Sequence, residues 1–181
     1  MIIHPTDFKD CHLIEPSVFE DPRGYFFESY NKAQLEDYLG KALDFVQDNQ
    51  SLSGRGVLRG LHFQEGEHAQ AKLVRVVRGE VIDVVLDLRA DSATYGKHLK
   101  IRLSEENRKM LFIPRGMAHG FLSLKEDTLF LYKSDNYYHR ESEMGIRYND
   151  PDLGIDWELP ETQLLLSEKD KAWPLLKQWA K

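Results

Sequence analysis

The chain has 181 residues, with 24 Lys and Arg against 30 Asp and Glu and a formal net charge of −6. That length predicts one domain able to bury a core without disulfide or metal staples. The acidic balance argues against a nucleic-acid or anionic-membrane binder, and a single cysteine, Cys11, excludes an internal disulfide and a cysteine-built metal site. The N-terminal MIIHPTDFKD lacks the basic start and apolar run of a signal peptide, and no stretch approaches the ~18 apolar residues of a membrane span. The expected setting is cytoplasmic, with no membrane partner.

Two strand-like runs, Leu13–Phe19 and Tyr25–Tyr30, flank a turn signal at Asp21-Pro22-Arg23-Gly24. Asn31–Leu39 reads as a short helix, capped by Asn31 and ended by Gly40. From Phe45 to Tyr138 the pattern is nearly all strand, with candidates at Val57–Gln64, Lys72–Arg78, Glu80–Leu88, His98–Leu103, Met110–Ile113, Phe121–Leu124 and Thr128–Lys133. In Glu80–Leu88, Ile82, Val84, Leu86 and Leu88 share one face, and Val81, Asp83, Val85 and Asp87 share the other. Gly79 predicts a hairpin with Arg78-Gly79 at its tip. In the tail, Trp173, Leu176 and Trp179/Ala180 fall at helical spacing, with Pro174 suited to a first turn. Many short strands with closely spaced turns indicate a mainly β sandwich or barrel with a few peripheral helices.

Two segments carry chemistry. Gly56-Val-Leu-Arg-Gly-Leu-His62-Phe-Gln64, continuing to Lys72 and Gly79, resembles the first cupin motif, with Gln64 in place of its second His and Lys72 in place of its Glu. Pro114-Arg-Gly116-Met-Ala-His119 resembles the second. The resemblance implies a double-stranded β-helix barrel with His62, Gln64, Lys72 and His119 near its interior. An ammonium where a cation would sit repels metal and attracts an oxyanion, so no metal and no cofactor are expected.

The longer series is more specific. Asp21-Pro-Arg-Gly24, Gln47-Asp48-Asn49-Gln50-Ser51, the two cupin-like segments, Phe130-Leu-Tyr-Lys133, Gly145-Ile-Arg-Tyr-Asn-Asp-Pro151 and Ser167-Glu-Lys-Asp170 occur across about residues 1–170. This series resembles the dTDP-4-dehydrorhamnose 3,5-epimerases, a metal-free cupin family of dTDP-L-rhamnose synthesis. The resemblance implies epimerisation of dTDP-4-dehydro-6-deoxy-D-glucose at C3 and C5. It implies His62 as base, Asp170 as its orienting carboxylate, Tyr132 as acid and Lys72 as stabiliser of the enolate. For the dTDP-sugar it offers Arg23, Arg59 and Lys169 to the diphosphate. Gln47, Asn49, Glu28 and Glu143 would supply hydrogen bonds, Phe26 and Tyr138 stacking, and His119 the pocket wall with Asp83 behind it.

Other readings stand beside these. Ser167-x-x-Asp170 also has capping-box spacing, and Tyr132 reads equally as a core tyrosine. Alternation sets His62 opposite Arg59, so sharing one site requires an irregularity at Gly60. The family further implies a homodimer in which the N-terminal strands, about residues 1–30, cross to the neighbour. A one-carbon epimerase, a metal-dependent cupin and a non-catalytic sugar-nucleotide binder are the alternatives.

Overall fold

A computed structural model describes residues 1–179. Ala180, part of the expected helical stripe, lies outside the described residues. The N-terminal third holds β1 (Ile2–Pro5), β2 (His12–Glu15), β3 (Phe19–Asp21), β4 (Gly24–Phe26), α1 (Lys32–Leu39) and β5 (Gln47–Ser53). The middle follows as β6 (Leu58–Gln64), β7 (Lys72–Arg78), β8 (Glu80–Asp87), β9 (His98–Ser104) and β10 (Met110–Ile113). Then come β11 (Met117–Ser123), β12 (Thr128–Ser134), β13 (Glu143–Gly145), α2 (Glu168–Ala172) and α3 (Leu176–Trp179). No helix among the described residues is long and apolar enough to cross a membrane.

The strands form a six-stranded sheet, ordered β1-β2-β10-β7-β12-β5, and a five-stranded sheet, ordered β13-β6-β11-β8-β9. The alternation of β8 explains how they stack. Val81 and Val85 face the other sheet and pack with Val74, Val76, Leu111 and Phe130, while Ile82, Val84 and Leu86 face outward onto Leu58, Leu61 and Trp157. Both faces are therefore buried, which the double apolar periodicity of β8 requires. On the back of the larger sheet, Leu35 of α1 packs with Ile14, Leu73 and Phe112. The helix is bounded as expected: the Asn31 side chain accepts from the Gln34 N–H, and Gly40 ends it at φ 64°.

Three local expectations need correction. β7 and β8 do not form a hairpin; β7 lies in the larger sheet and β8 in the smaller. Gly79 turns the chain between sheets at φ +85°, where a Cβ would come within 2.9 Å of Thr128 Cα, and one residue is too short a loop for antiparallel pairing. Near the N-terminus the strands are shorter than predicted: the Asp21–Gly24 turn joins the small hairpin β3–β4, and Phe27–Tyr30 is irregular. In the tail, Trp173 and Pro174 lie between α2 and α3, because Pro174 follows the last turn of one and precedes the next.

The irregularity at Gly60 is present. His62 pairs with His119, yet Arg59 pairs with Phe121, so β6 takes three steps where β11 takes two. Gly60 adopts φ +132°, and its backbone approaches Gly120 so closely that a Cβ would sit 2.5 Å from Gly120 Cα. Two glycines in contact permit the extra residue that turns Arg59 and His62 toward the same cavity. Gly60→Ala is expected to lower stability by about 1–3 kcal/mol, read as a shift in the urea midpoint. An unchanged midpoint would show that the strands can part here without strain.

Candidate active site

A cavity of about 590 Å³ opens between the sheets, well within the ~300–1,000 Å³ of ligand sites. One wall comes from the larger sheet: Asn49 and Ser51 on β5, Lys72 on β7, Phe130 and Tyr132 on β12. The other comes from the smaller: Arg59 and His62 on β6, His119 and Phe121 on β11. The segment Leu165–Asp170 completes it, tied to the barrel by the parallel bridge between Val57 and Leu165.

His62 Nε2 lies 2.5 Å from Asp170 Oδ1, leaving the other ring nitrogen free of this bond. Asp170 enters at the third position of α2, where its backbone N–H donates to Ser167 Oγ. The cap and the carboxylate–imidazole pair thus coexist: the backbone of Asp170 serves the cap while its side chain reaches His62. Burial pushes the Asp170 carboxyl up, but the hydrogen bond and charge of His62 outweigh it and the group is held below its usual range. His119 Nε2 lies 2.9 Å from Asp83 Oδ2, and Asp83 is fully buried, so the expected pairing of these two residues is present.

Lys72 is the centre of the electrostatics. Burial pushes its pKa down from 10.5 to about 8, while Asp83 and Glu143 oppose that fall by favouring the charged form. Its Nζ lies 5.8 Å from the Tyr132 ring centroid. Burial and then Glu143 raise the Tyr132 phenol, which keeps it protonated through neutral pH despite Arg59. Among the described residues no group of three His, Cys, Asp or Glu side chains is arranged to hold a metal ion.

At the rim, Lys169 lies 2.5 Å from Glu143, and the Tyr138 hydroxyl donates to the same carboxylate. Gln47 donates to Asn49 and accepts from the Tyr138 N–H. Gln47, Tyr138 and Glu143 therefore border the cavity through Asn49 and Lys169 rather than lining it. Gln64 turns away from the cavity to hold loop backbone at His68, Tyr137 and His139, contrary to the interior place expected of it. Arg23, Phe26 and Glu28 are not brought to the cavity of their own chain. Arg23 pairs with Asp21, Glu28 accepts from Asn31 and Gln34, and Phe26 is 66% exposed on the β3–β4 hairpin. Arg23 and Phe26 lie on the β3–β4 hairpin and Glu28 just after it, and none of the three lines the cavity.

Ser51, Phe121, Phe130 and Trp173 are at or beside the site without having been singled out. For Ser51 a signal exists. The inward face of β5 reads Gln47, Asn49, Ser51, Ser53 while Leu52 points out, an inverted alternation that marks a strand facing a polar cavity. Phe121, Phe130 and Trp173 look like core residues in any local window.

A double-sheet β-barrel whose cavity carries an imidazole–carboxylate pair, a lysine and a phenol defines a cupin-class enzyme. The family model for dTDP-4-dehydrorhamnose 3,5-epimerase matches residues 5–178. The chain is 51% identical to dTDP-4-dehydrorhamnose 3,5-epimerase of Salmonella typhimurium, across 98% of this chain and 97% of that one. It superposes on the crystal structure of the Elizabethkingia anophelis dTDP-4-dehydrorhamnose 3,5-epimerase with TM-score 0.95 at 52% identity, covering 98% and 97% of the two chains. It superposes on the Legionella pneumophila dTDP-6-deoxy-D-glucose-3,5-epimerase, solved with dTDP-4-keto-L-rhamnose, with TM-score 0.93 at 47% identity, covering 97% and 93%. The chain belongs to the dTDP-4-dehydrorhamnose 3,5-epimerase family and is an isomerase.

The lowered Lys72 pKa has a definite sign in stability. The unfolded chain holds this proton more tightly, so Lys72 opposes folding at neutral pH, and the penalty fades as pH rises from about 8 toward 10.5. Lys72→Met is expected to be more stable than the parent at pH 7, with the gap closing by pH 10, as measured by urea denaturation at both pH values. A gap that does not change with pH would refute the buried ammonium.

Proposed function

We propose that this cavity epimerises dTDP-4-dehydro-6-deoxy-D-glucose at C3 and C5 to give dTDP-4-dehydro-L-rhamnose. The observation that carries the roles is the placement of His62 and Tyr132 on opposite walls, one from each sheet, with Lys72 on the same wall as Tyr132 and its Nζ 5.8 Å from the phenol ring centroid. A carbon beside a ketone inverts when a proton leaves from one face and returns from the other. His62 removes the proton through the ring nitrogen not bonded to Asp170, and Asp170 stabilises the imidazolium. The electron pair moves onto the C4 oxygen, where the Lys72 ammonium offsets the developing charge. Tyr132 delivers a proton to the far face, and solvent restores both groups. Repeating the sequence at the other flanking carbon completes the double inversion.

Arg59 and Lys169 supply positive charge for the diphosphate in an acidic protein, while Gln47, Asn49 and Tyr138 border the space for base and sugar. Arg23, Phe26 and Glu28 serve the cavity of a second copy in a homodimer. The hairpin's exposed Phe19, Tyr25 and Phe26 support that reading, since an apolar surface of this kind is stabilised by a partner.

The test is NMR of the sugar nucleotide in deuterated buffer. The wild type is expected to exchange and invert both C3 and C5; exchange at one carbon alone would make it a single-carbon epimerase. His62→Ala is expected to lose exchange at both positions while still binding nucleotide, and Tyr132→Phe to retain exchange but lose net inversion. Residual exchange in His62→Ala would remove it as the base. Mixing Arg23→Ala with His62→Ala chains is expected to restore activity above either variant alone, because one composite site is then intact. No recovery on mixing would confine the hairpin to another role.

A further inference from the structure

Asp170 stands on a helix of only five residues, too short to hold a catalytic carboxylate by its own stability. Its N-terminal end is fixed by the Ser167 cap. The other end is fixed by Trp173. The Trp173 carbonyl accepts from Arg147 Nε at 2.9 Å, and the next carbonyl, of Pro174, accepts from the Arg147 N–H at 2.9 Å. The Trp173 ring meets the imidazole of His62 edge-on, with centroids 6.1 Å apart and planes at 68°. Lys169 Nζ lies 5.4 Å from the same ring.

The ring reaches this place because of Gly145. Gly145 is the cross-strand partner of His62, and a Cβ there would lie 2.5 Å from Trp173 Cδ2 and 2.6 Å from Nε1. The indole therefore rests on bare backbone beside the His62 strand. Its neighbours in sequence, Leu176 and Trp179, pack on the core of the smaller sheet, whereas Trp173 belongs to none of the core clusters among the described residues. Its ring lies against Gly145 and faces His62 and Lys169.

We propose that Trp173, seated on Gly145, is a positioning residue for the His62–Asp170 pair: it holds the imidazole from one side and the short helix carrying the carboxylate from the other. The proposal rests on the reading of His62 as base. The misplacement it prevents is of the order of an ångström, which lowers turnover steeply without weakening nucleotide binding.

The experiment compares Trp173→Ala, Trp173→Phe and Gly145→Ala by kcat, KM and the ring N–H proton resonance of His62 in its hydrogen bond to Asp170. Trp173→Ala and Gly145→Ala are expected to lower kcat about tenfold to a hundredfold, with KM nearly unchanged and the resonance lost. Trp173→Phe, which keeps a ring on Gly145, is expected to recover the resonance and most of the turnover. Wild-type kcat and an intact resonance in Trp173→Ala would overturn the proposal. So would loss of activity with the resonance retained, which marks a purely structural role. Where Trp173→Ala does not fold, Gly145→Ala decides by the same two criteria. The resonance reports the geometry of the pair whatever step it performs, so failure of the base assignment, seen as exchange persisting in His62→Ala, is separable from failure of the seat.

Discussion

A lysine ammonium between two β-sheets is an unfavourable thing to bury, and the architecture around Lys72 is organised to tolerate it. Asp83 and Glu143 act on it from the smaller sheet, one buried beneath His119 and the other held at the rim by Lys169 and Tyr138. Neither pairs with it directly among the described residues, so no fixed partner neutralises its charge, as the proposed enolate stabilisation requires. A pKa near 8 leaves it mostly charged at neutral pH while reflecting the strain of its position. The proposed role of Lys72 gives a reason for retaining an ammonium whose desolvation opposes folding.

The remaining groups follow from where that charge sits. In the proposed reaction the proton leaves the carbon beside the ketone on one face, giving the enolate, and another is returned on the opposite face; His62 and Tyr132 stand on the two sheets that form the opposite walls. The β6 bulge brings Arg59 and His62 to the same side, which a regular ladder would forbid. The C-terminal segment then closes over β6, delivering Asp170 and Trp173 from a part of the chain 108 and more residues away. The site is thus assembled from both sheets and the tail, so its geometry depends on barrel closure being complete.

The overall acidity of the chain and its anionic substrate are reconciled locally. Arg59 and Lys169 face the cavity while carboxylates are kept in pairs: Asp170 with His62, Asp83 with His119, Glu143 with Lys169. Only the Glu143–Lys169 pair joins opposite fixed charges; hydrogen bonding to an imidazole holds the Asp170 and Asp83 carboxylates in place, so Arg59, like Lys72, is a cavity cation without a carboxylate partner among the described residues.

Much of this was legible in the chain itself. Period-two alternation placed β8 and β12, the Asn31 and Gly40 caps bounded α1, and the cupin-like spacing brought His62, Lys72 and His119 to one cavity. Local signals failed where a single residue had two roles or where sheets had to be told apart. Gly79 looks the same in a hairpin tip and in a corner between sheets, because a positive φ serves both. Asp170 satisfies a helix cap with its backbone, which hides the bond its side chain makes to His62. Trp173 has the spacing of a core stripe, yet only the bare backbone of Gly145 lets it turn to the site. Residue types and periodicities are set within a few positions, so the sequence by itself determined the central strands, the α1 caps and the chemical inventory, while β1, β13 and the N-terminal strand bounds escaped it. Which sheet each strand joins, and which distant side chain meets which, were decided by closure of the barrel, because those contacts depend on long-range packing that no local pattern encodes.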